Sequence, residues 1–382
     1  MDGVATDVLS YRLHRAAGSP HALTAVSGRQ ALGALVGLAF AVRWLLSLTH
    51  ITPYLMPDEY IYGSIARSIA ETASPLIRGG AAGCPALLQP ILTAPFWLLG
   101  DPEAALRLTQ GLHSLAMSLA AVPAYLLARR LELGTGLALA AAAFTVVSPD
   151  LAFAGYVLAD PIAYPLVLAA LYVGVLTLEQ PTARRQLVFL GLSGLATFAR
   201  VQFVVLPAVF LAAAVIVERG SIPTVVRRLR LTLALMAAAG LLVLTLGTER
   251  LLGYYAGVVN LPFRPSALLR WAATDAMLLV YPAGVVLVPG ALLGVVLAVY
   301  RPASRTEAAF SALAVPMPPL SQFTAAREGE SARPKVANAE SGAVAASVST
   351  PAASNATAAT ERRARRAKMP YAGTTSGRSV KR

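Results

Sequence analysis

The chain alternates long apolar runs with short polar loops, and the runs have lengths that a bilayer sets. A helix needs about 20 mostly apolar residues to cross the hydrocarbon core. Eight runs reach or approach that length, at about 30–52, 103–128, 134–149, 159–178, 186–200, 202–217, 231–247 and 273–299. The run at 86–99 is shorter and carries Pro90 and Pro95, so it reads as a re-entrant or interfacial piece. The pattern changes just past the first run. Over 58–72, Ile61, Ile65 and Ile69 recur every fourth residue, with Ala66 and Ala70 beside them. That spacing marks one face of an amphipathic helix lying along the membrane surface. Arg67 and Glu71 stand four apart on its polar side and are placed to pair. The predicted class is an all-α polytopic membrane protein of about eight transmembrane helices. A juxtamembrane helix sits in the first outer loop.

Charge then orients the runs. Arg129 and Arg130, Arg184 and Arg185, the group Arg219, Arg227, Arg228 and Arg230, and the pair Arg301 and Arg305 all fall in loops on one side if eight spans alternate. Arg-rich loops face the cytoplasm. Both termini are then cytoplasmic, and the loops 53–102, 150–158, the turn near Arg200 and 248–272 face outward. About 28 polar or mixed residues precede the first run, including Arg12, Arg15 and Arg29, which is not the pattern of a cleaved leader. Three parts follow: a cytoplasmic segment 1–29, a transmembrane domain 30–300, and a basic tail 301–382. The tail is Ala, Ser, Thr, Pro and Arg without apolar periodicity and reads as disordered.

Composition narrows the functional classes. The chain is 56% hydrophobic and 13% charged, against roughly 25% charged in soluble domains. Its net charge of +13 does not imply nucleic-acid binding, because the basic residues sit in short inter-span loops and in the tail. The cluster Arg362, Arg363, Arg365, Arg366 and Lys368 is a solvated run that can also meet anionic lipid headgroups. The single cysteine, Cys84, excludes an intrachain disulfide and a cysteine-based zinc site. The bias to Arg, Ala and Leu is that of a GC-rich bacterial genome. No P-loop, Rossmann glycine pattern or Cys/His metal cluster occurs.

The candidate chemistry lies at the outer ends of the spans. Asp58 and Glu59 follow the first run, Asp160 opens the fourth, and Arg200 stands at the turn between the fifth and sixth. Arg107 and His113 lie in the outer half of the second. Each also has a structural reading. Asp58 after Pro57 and Asp160 before Pro161 are placed to cap helices. Arg200 can snorkel to the headgroups. Tyr60, Tyr62, Tyr156 and Tyr164 suit an interfacial belt. Together, however, the acids and the arginine form a coherent set. A carboxylate acts as general base on an acceptor hydroxyl or amine. A guanidinium grips a phosphate bidentately and stabilises it as a leaving group. That set suits group transfer from a lipid phosphate.

The segments "PDEYIYGSIARSIAE", "LLQPILTAPFWLLGDPEAALRLTQGLHSLA", "SPDLAFAGYVLADPIAYPL" and "GLATFARVQ" together resemble the GT-C superfamily of integral-membrane glycosyltransferases. The branch resembled is the bacterial one related to protein O-mannosyltransferases and the lipid A aminoarabinose transferase. The resemblance covers about 30–217 well and 218–300 loosely. It implies a polyprenyl-phosphate sugar donor, an inverting transfer and an acceptor that is a glycan, lipid or protein. It makes Asp58 the catalytic base with Glu59 as its neighbour, Asp160 the second acid and Arg200 a donor-phosphate ligand; Arg107, by its position, is a further phosphate-binding candidate. It requires no cofactor, although a divalent metal is compatible with it. It places the site on the outer face of a bacterial plasma membrane. The chain departs from the family in span number and in lacking an outer C-terminal domain. The alternatives are therefore a shortened, inactive member and, further off, a transporter of a lipid-linked or anionic solute.

Overall fold

The computed structural model describes residues 27–51, 56–83, 86–147, 154–247, 302 and 304–314. The expected span at 273–299, the loop 248–272, the segment before 27, Cys84 and the chain beyond 314 lie outside the described residues. The described part is mostly helical. Its elements, in order, are α1 (Gly28–Ser47), α2 (Pro57–Thr72), the two-residue strands β1 (Leu76–Ile77) and β2 (Gly80–Ala81), α3 (Leu88–Trp97), α4 (Pro102–Leu119), α5 (Ala121–Arg130) and α6 (Thr135–Val147). They continue with α7 (Asp160–Glu179), α8 (Ala183–Ala199), a 3-10 turn (Val201–Val205), α9 (Leu206–Val217), α10 (Ile222–Arg228), α11 (Arg230–Leu246) and α12 (Arg305–Ala314).

Three stretches are long and apolar enough to cross a membrane: α1, the joined α4–α5 stretch of 29 residues, and α7. A fourth arises if α10 and α11, bent by 85°, form one broken span. The other expected spans among the described residues correspond to shorter helices, such as α6 with 13 residues and α8 with 17. The break between α4 and α5 has a local cause. Pro123 lacks the N–H that would bond back to the Leu119 carbonyl.

Local chemistry sets the ends of the elements. Ser27 caps α1 in a reciprocal pair with Gln30, at 3.3 and 3.0 Å. Pro57 opens α2, and Ala73 closes it at φ 55°, where its N–H reaches the Ile69 carbonyl. The buried side of α2 is Tyr62, Gly63, Ile65 and Ala66, one step round from the expected Ile stripe. It packs mainly on α3. Tyr62 is thus a core residue, clustered with Ala86, Leu106, Val157, Ala159 and Val201. In α3, Pro90 lies in the first turn and is tolerated, while Gln89, Thr93 and Ala94 are buried against neighbours.

The largest apolar core joins α7, α8, α9 and α12 through Val167, Val175, Phe189, Phe210, Ala309 and Leu313. The Phe189 and Phe210 rings lie 4.3 Å apart. The segment from 301 was expected to be disordered tail. Its residues 305–314 instead form α12, with Ala309, Ala312 and Leu313 buried. Their small apolar side chains fit a notch that Gly174 leaves open: a Cβ there would meet Leu313 at 3.3 Å and Phe189 at 3.4 Å. At the Arg-bearing end of this core, Glu179 accepts from Arg130 at 3.1 Å and from Thr306. Glu218 is paired with both Arg228 and Arg305.

Candidate functional site

Residues 154–160, which lead into α7, are held from three sides. The Gly155 carbonyl accepts from Gln110 Nε2 at 3.3 Å, and the Tyr156 carbonyl bonds His113 Nδ1 at 3.0 Å. The Val157 N–H donates to Glu59 Oε1 at 2.9 Å. A ring nitrogen facing a carbonyl must carry the proton, so His113 Nε2 is the acceptor. It receives the Gln89 amide 3.5 Å away. Gly155 is small for a reason. A Cβ there would stand 3.2 Å from His50 Cβ and 3.4 Å from Ser47 Cα, so the end of α1 seats directly on this segment.

The three segments that carry candidate acids and the arginine converge here. Asp160 is the first helical residue of α7, not its cap, which is Ala159. Its carboxylate is ion-paired with Arg200, and both side chains are about one-third exposed, at 32%. Arg200 ends α8 in an extended conformation (φ −150°, ψ 115°), and its Nε donates to Gln202 Oε1 at 3.1 Å. Glu59 is fully buried. Its Oε2 accepts the Met56 N–H at 3.0 Å, closing the first turn of α2, while Oε1 reaches Val157. His50 Nε2 lies 3.6 Å from the same Oε1, and the His50 ring leans on Tyr156 with centroids 4.5 Å apart.

Asp58 differs from its neighbour. It is exposed, at the second helical position of α2, and makes no hydrogen bond or ion pair among the described residues. The cap of α2 is Met56, and the side-chain bond that closes its first turn comes from Glu59. Arg107 is engaged elsewhere. Its guanidinium donates to the Leu48 and His50 carbonyls at 3.1 and 3.3 Å and to Gln110 Oε1 at 3.1 Å. It fastens α4 to the end of α1, and no contact among the described residues joins it to the Asp160–Arg200 pair.

An apolar groove of about 510 Å³ reaches Val201, the residue after Arg200. One face of α8, from Leu190 through Thr197 and Phe198, forms one wall, and Leu235, Met236 and Ala239 of α11 form the other. Val201 and Val204 line it next to the Arg200 turn. One turn beyond the other end, Gln186 Oε1 accepts the Thr232 N–H at 3.0 Å and its hydroxyl at 2.8 Å, so α11 is pinned to α8 there. Along α8 the groove therefore starts one turn past a polar clamp and reaches Val201 and Val204, just past Arg200 in the chain.

Sequence reasoning missed two groups. Arg43 is fully buried on α1, donating to the Val146 carbonyl and lying 3.6 Å from Met117 Sδ. A lone cation inside an apolar run was the available signal, and such a residue in a span is functional by default. Gln89, Gln110 and His50 were also passed over, although Gln110 shares a helix face with His113.

On the exposed side of α2, the Arg78 guanidinium donates to the Tyr60 hydroxyl at 3.0 Å and stands 5.3 Å from the ring centroid. That hydrogen bond lowers the Tyr60 pKa from its ordinary value of 10.0. Among the described residues, no group of three or more His, Cys, Asp or Glu side chains is placed to hold a metal. Neither a known family model, nor a curated protein, nor a solved structure matches this chain.

Proposed function

We propose that the protein is a membrane glycosyltransferase of GT-C type, built on about eight spans, that uses a polyprenyl-phosphate sugar. The observation that carries this reading is the Asp160–Arg200 pair, with Val201, the residue after Arg200, lining an apolar groove, and with the α2 turn that bears Asp58 bonded through Glu59 to the segment before Asp160. Each part has a chemical use. The groove takes the isoprenoid tail, whose hydrocarbon needs no polar partner. The phosphate meets Arg200, whose guanidinium keeps donors beyond those used on Asp160 and Gln202. Asp160 holds that guanidinium in place in the absence of donor.

The transfer then follows from the charges. The Asp58 carboxylate takes the proton of an acceptor hydroxyl as that oxygen attacks the anomeric carbon. The bond from the anomeric carbon to the phosphate oxygen breaks, and its electron pair leaves on the phosphate, opposite Arg200. Attack opposite the leaving group inverts the anomeric centre. The site faces the outside of a bacterial plasma membrane, with both termini cytoplasmic.

The test is donor consumption by purified protein in detergent, across a panel of polyprenyl-phosphate sugars and acceptors. Wild type is expected to consume one donor. Asp58→Asn is expected to abolish consumption with no change in melting temperature. Arg200→Ala is expected to weaken donor use. Consumption of no donor by folded protein, with acceptors supplied, sinks the reading and leaves an inactive membrane protein. A fall in melting temperature with unchanged turnover in Asp58→Asn removes Asp58 as the base.

A further inference from the structure

We infer that Glu59 is a positioning residue, and that it fixes the two candidate acids relative to each other by strapping α2 to the segment before α7. For its catalytic meaning this inference rests on the reading above; its geometry does not.

Both oxygens of Glu59 are committed to backbone. Oε2 holds the Met56 N–H at 3.0 Å and Oε1 holds the Val157 N–H at 2.9 Å, across 98 residues of chain. The side chain is fully buried. A base must present a lone pair to the proton it removes. Glu59 has no open face from which to do so, whereas Asp58, one residue away, is exposed. On the other side of the strap, Val157 stands three residues before Asp160, the partner of Arg200. The strap thus lies between the exposed carboxylate and the ion pair.

The burial is supported from several directions. His50 Nε2 lies 3.6 Å from Oε1. The His50 carbonyl is itself held by Gln110 Nε2 at 2.9 Å and by Arg107 at 3.3 Å. Tyr62, on the same helix, packs with Val157 and Ala159. A carboxylate suits this position because it accepts at both ends. A glutamine of the same shape accepts at only one, and its amide N–H₂ then faces a backbone N–H.

The test reads the strap directly, by hydrogen exchange of the full-length protein in detergent. In Glu59→Gln, amide exchange over 154–160 and at 56–60 is expected to rise together by about tenfold or more, because a buried donor loses its acceptor. In Asp58→Asn it is expected to stay within about twofold of wild type. Unchanged exchange in Glu59→Gln, or an equal rise in Asp58→Asn, overturns the proposal. If Glu59→Gln does not fold, His50→Gln takes its place. A joint rise in both segments then supports the strap, and no change in either overturns it. Where wild type consumes a donor, Glu59→Gln should lower kcat while keeping the acid limb of the pH–rate profile, and Asp58→Asn should lose that limb. A lost limb in Glu59→Gln alone makes Glu59 the base and overturns the inference. If no donor is consumed, the glycosyltransferase reading fails while the exchange result still decides the strap.

Discussion

Two adjacent carboxylates, Asp58 and Glu59, meet opposite surroundings: Asp58 is exposed and Glu59 is fully buried. The pair itself was legible in the sequence, because two acids directly after an apolar run stand out. Their division was not, since it depends on Val157, 98 residues on, whose N–H reaches only Glu59. Asp160 and Arg200 were also legible, and the structure pairs them. Arg107 was selected by the same logic, but the carbonyls at the end of α1 claim its guanidinium. Carbonyls have no signature in a sequence, so that competition was invisible. A further prediction belongs at this scale. The Tyr60 phenol is expected to titrate below 10 by ultraviolet absorbance, and Arg78→Gln is expected to return it toward that value. The sign is that of a depressed acid: the contact favours the phenolate, and its proton-linked stability is fully present above the unfolded pKa and lost as pH falls through the folded one. At neutral pH the proton-linked part of the contact is therefore absent.

Among the elements, α2 was the most legible. Its expected extent of 58–72 compares with Pro57–Thr72, because proline and a periodic stripe mark a helix locally. Its buried face was less so: Tyr62 and Gly63 turn inward because α3 and the 154–160 segment lie there, which periodicity cannot foresee. The helix α12 falls in the stretch assigned to the tail. Its Ala-rich sequence has little apolar signal of its own, and it is ordered by the notch at Gly174 and by the Arg305–Glu218 ion pair. That docking is testable. Gly174→Val is expected to destabilise the protein by about 1–3 kcal/mol through overpacking against Leu313 and Phe189, seen as a lower melting temperature. An unchanged melting temperature would mean that α12 does not sit against α7.

For the molecule as a whole, hydropathy announced a mostly helical protein with candidate membrane spans, and only some of the expected runs are single long helices among the described residues. Three helices, or four with the bent pair, have spanning length among the described residues. Others are cut short by turns, such as the extended Arg200 between α8 and the 3-10 turn. The groove between α8 and α11 had no trace in the sequence, since its walls are ordinary apolar residues. One substitution tests its use. A Cβ on Gly194 meets nothing within 4 Å, so Gly194→Leu should fold normally while filling the groove. It is expected to raise KM for long-chain donors severalfold and to spare short-chain analogues. Equal effects on both would place the tail elsewhere.

The rim of that groove carries Phe198, Val204 and Leu235, all exposed. In a bilayer those side chains touch acyl tails, so a lipid-borne ligand of the proposed kind would arrive by lateral diffusion without passing through water. Its relevant abundance is then a mole fraction in the lamella, not a molarity. Adding inert phospholipid or detergent at constant volume dilutes such a ligand in two dimensions, and occupancy falls although nothing in the aqueous compartment has changed.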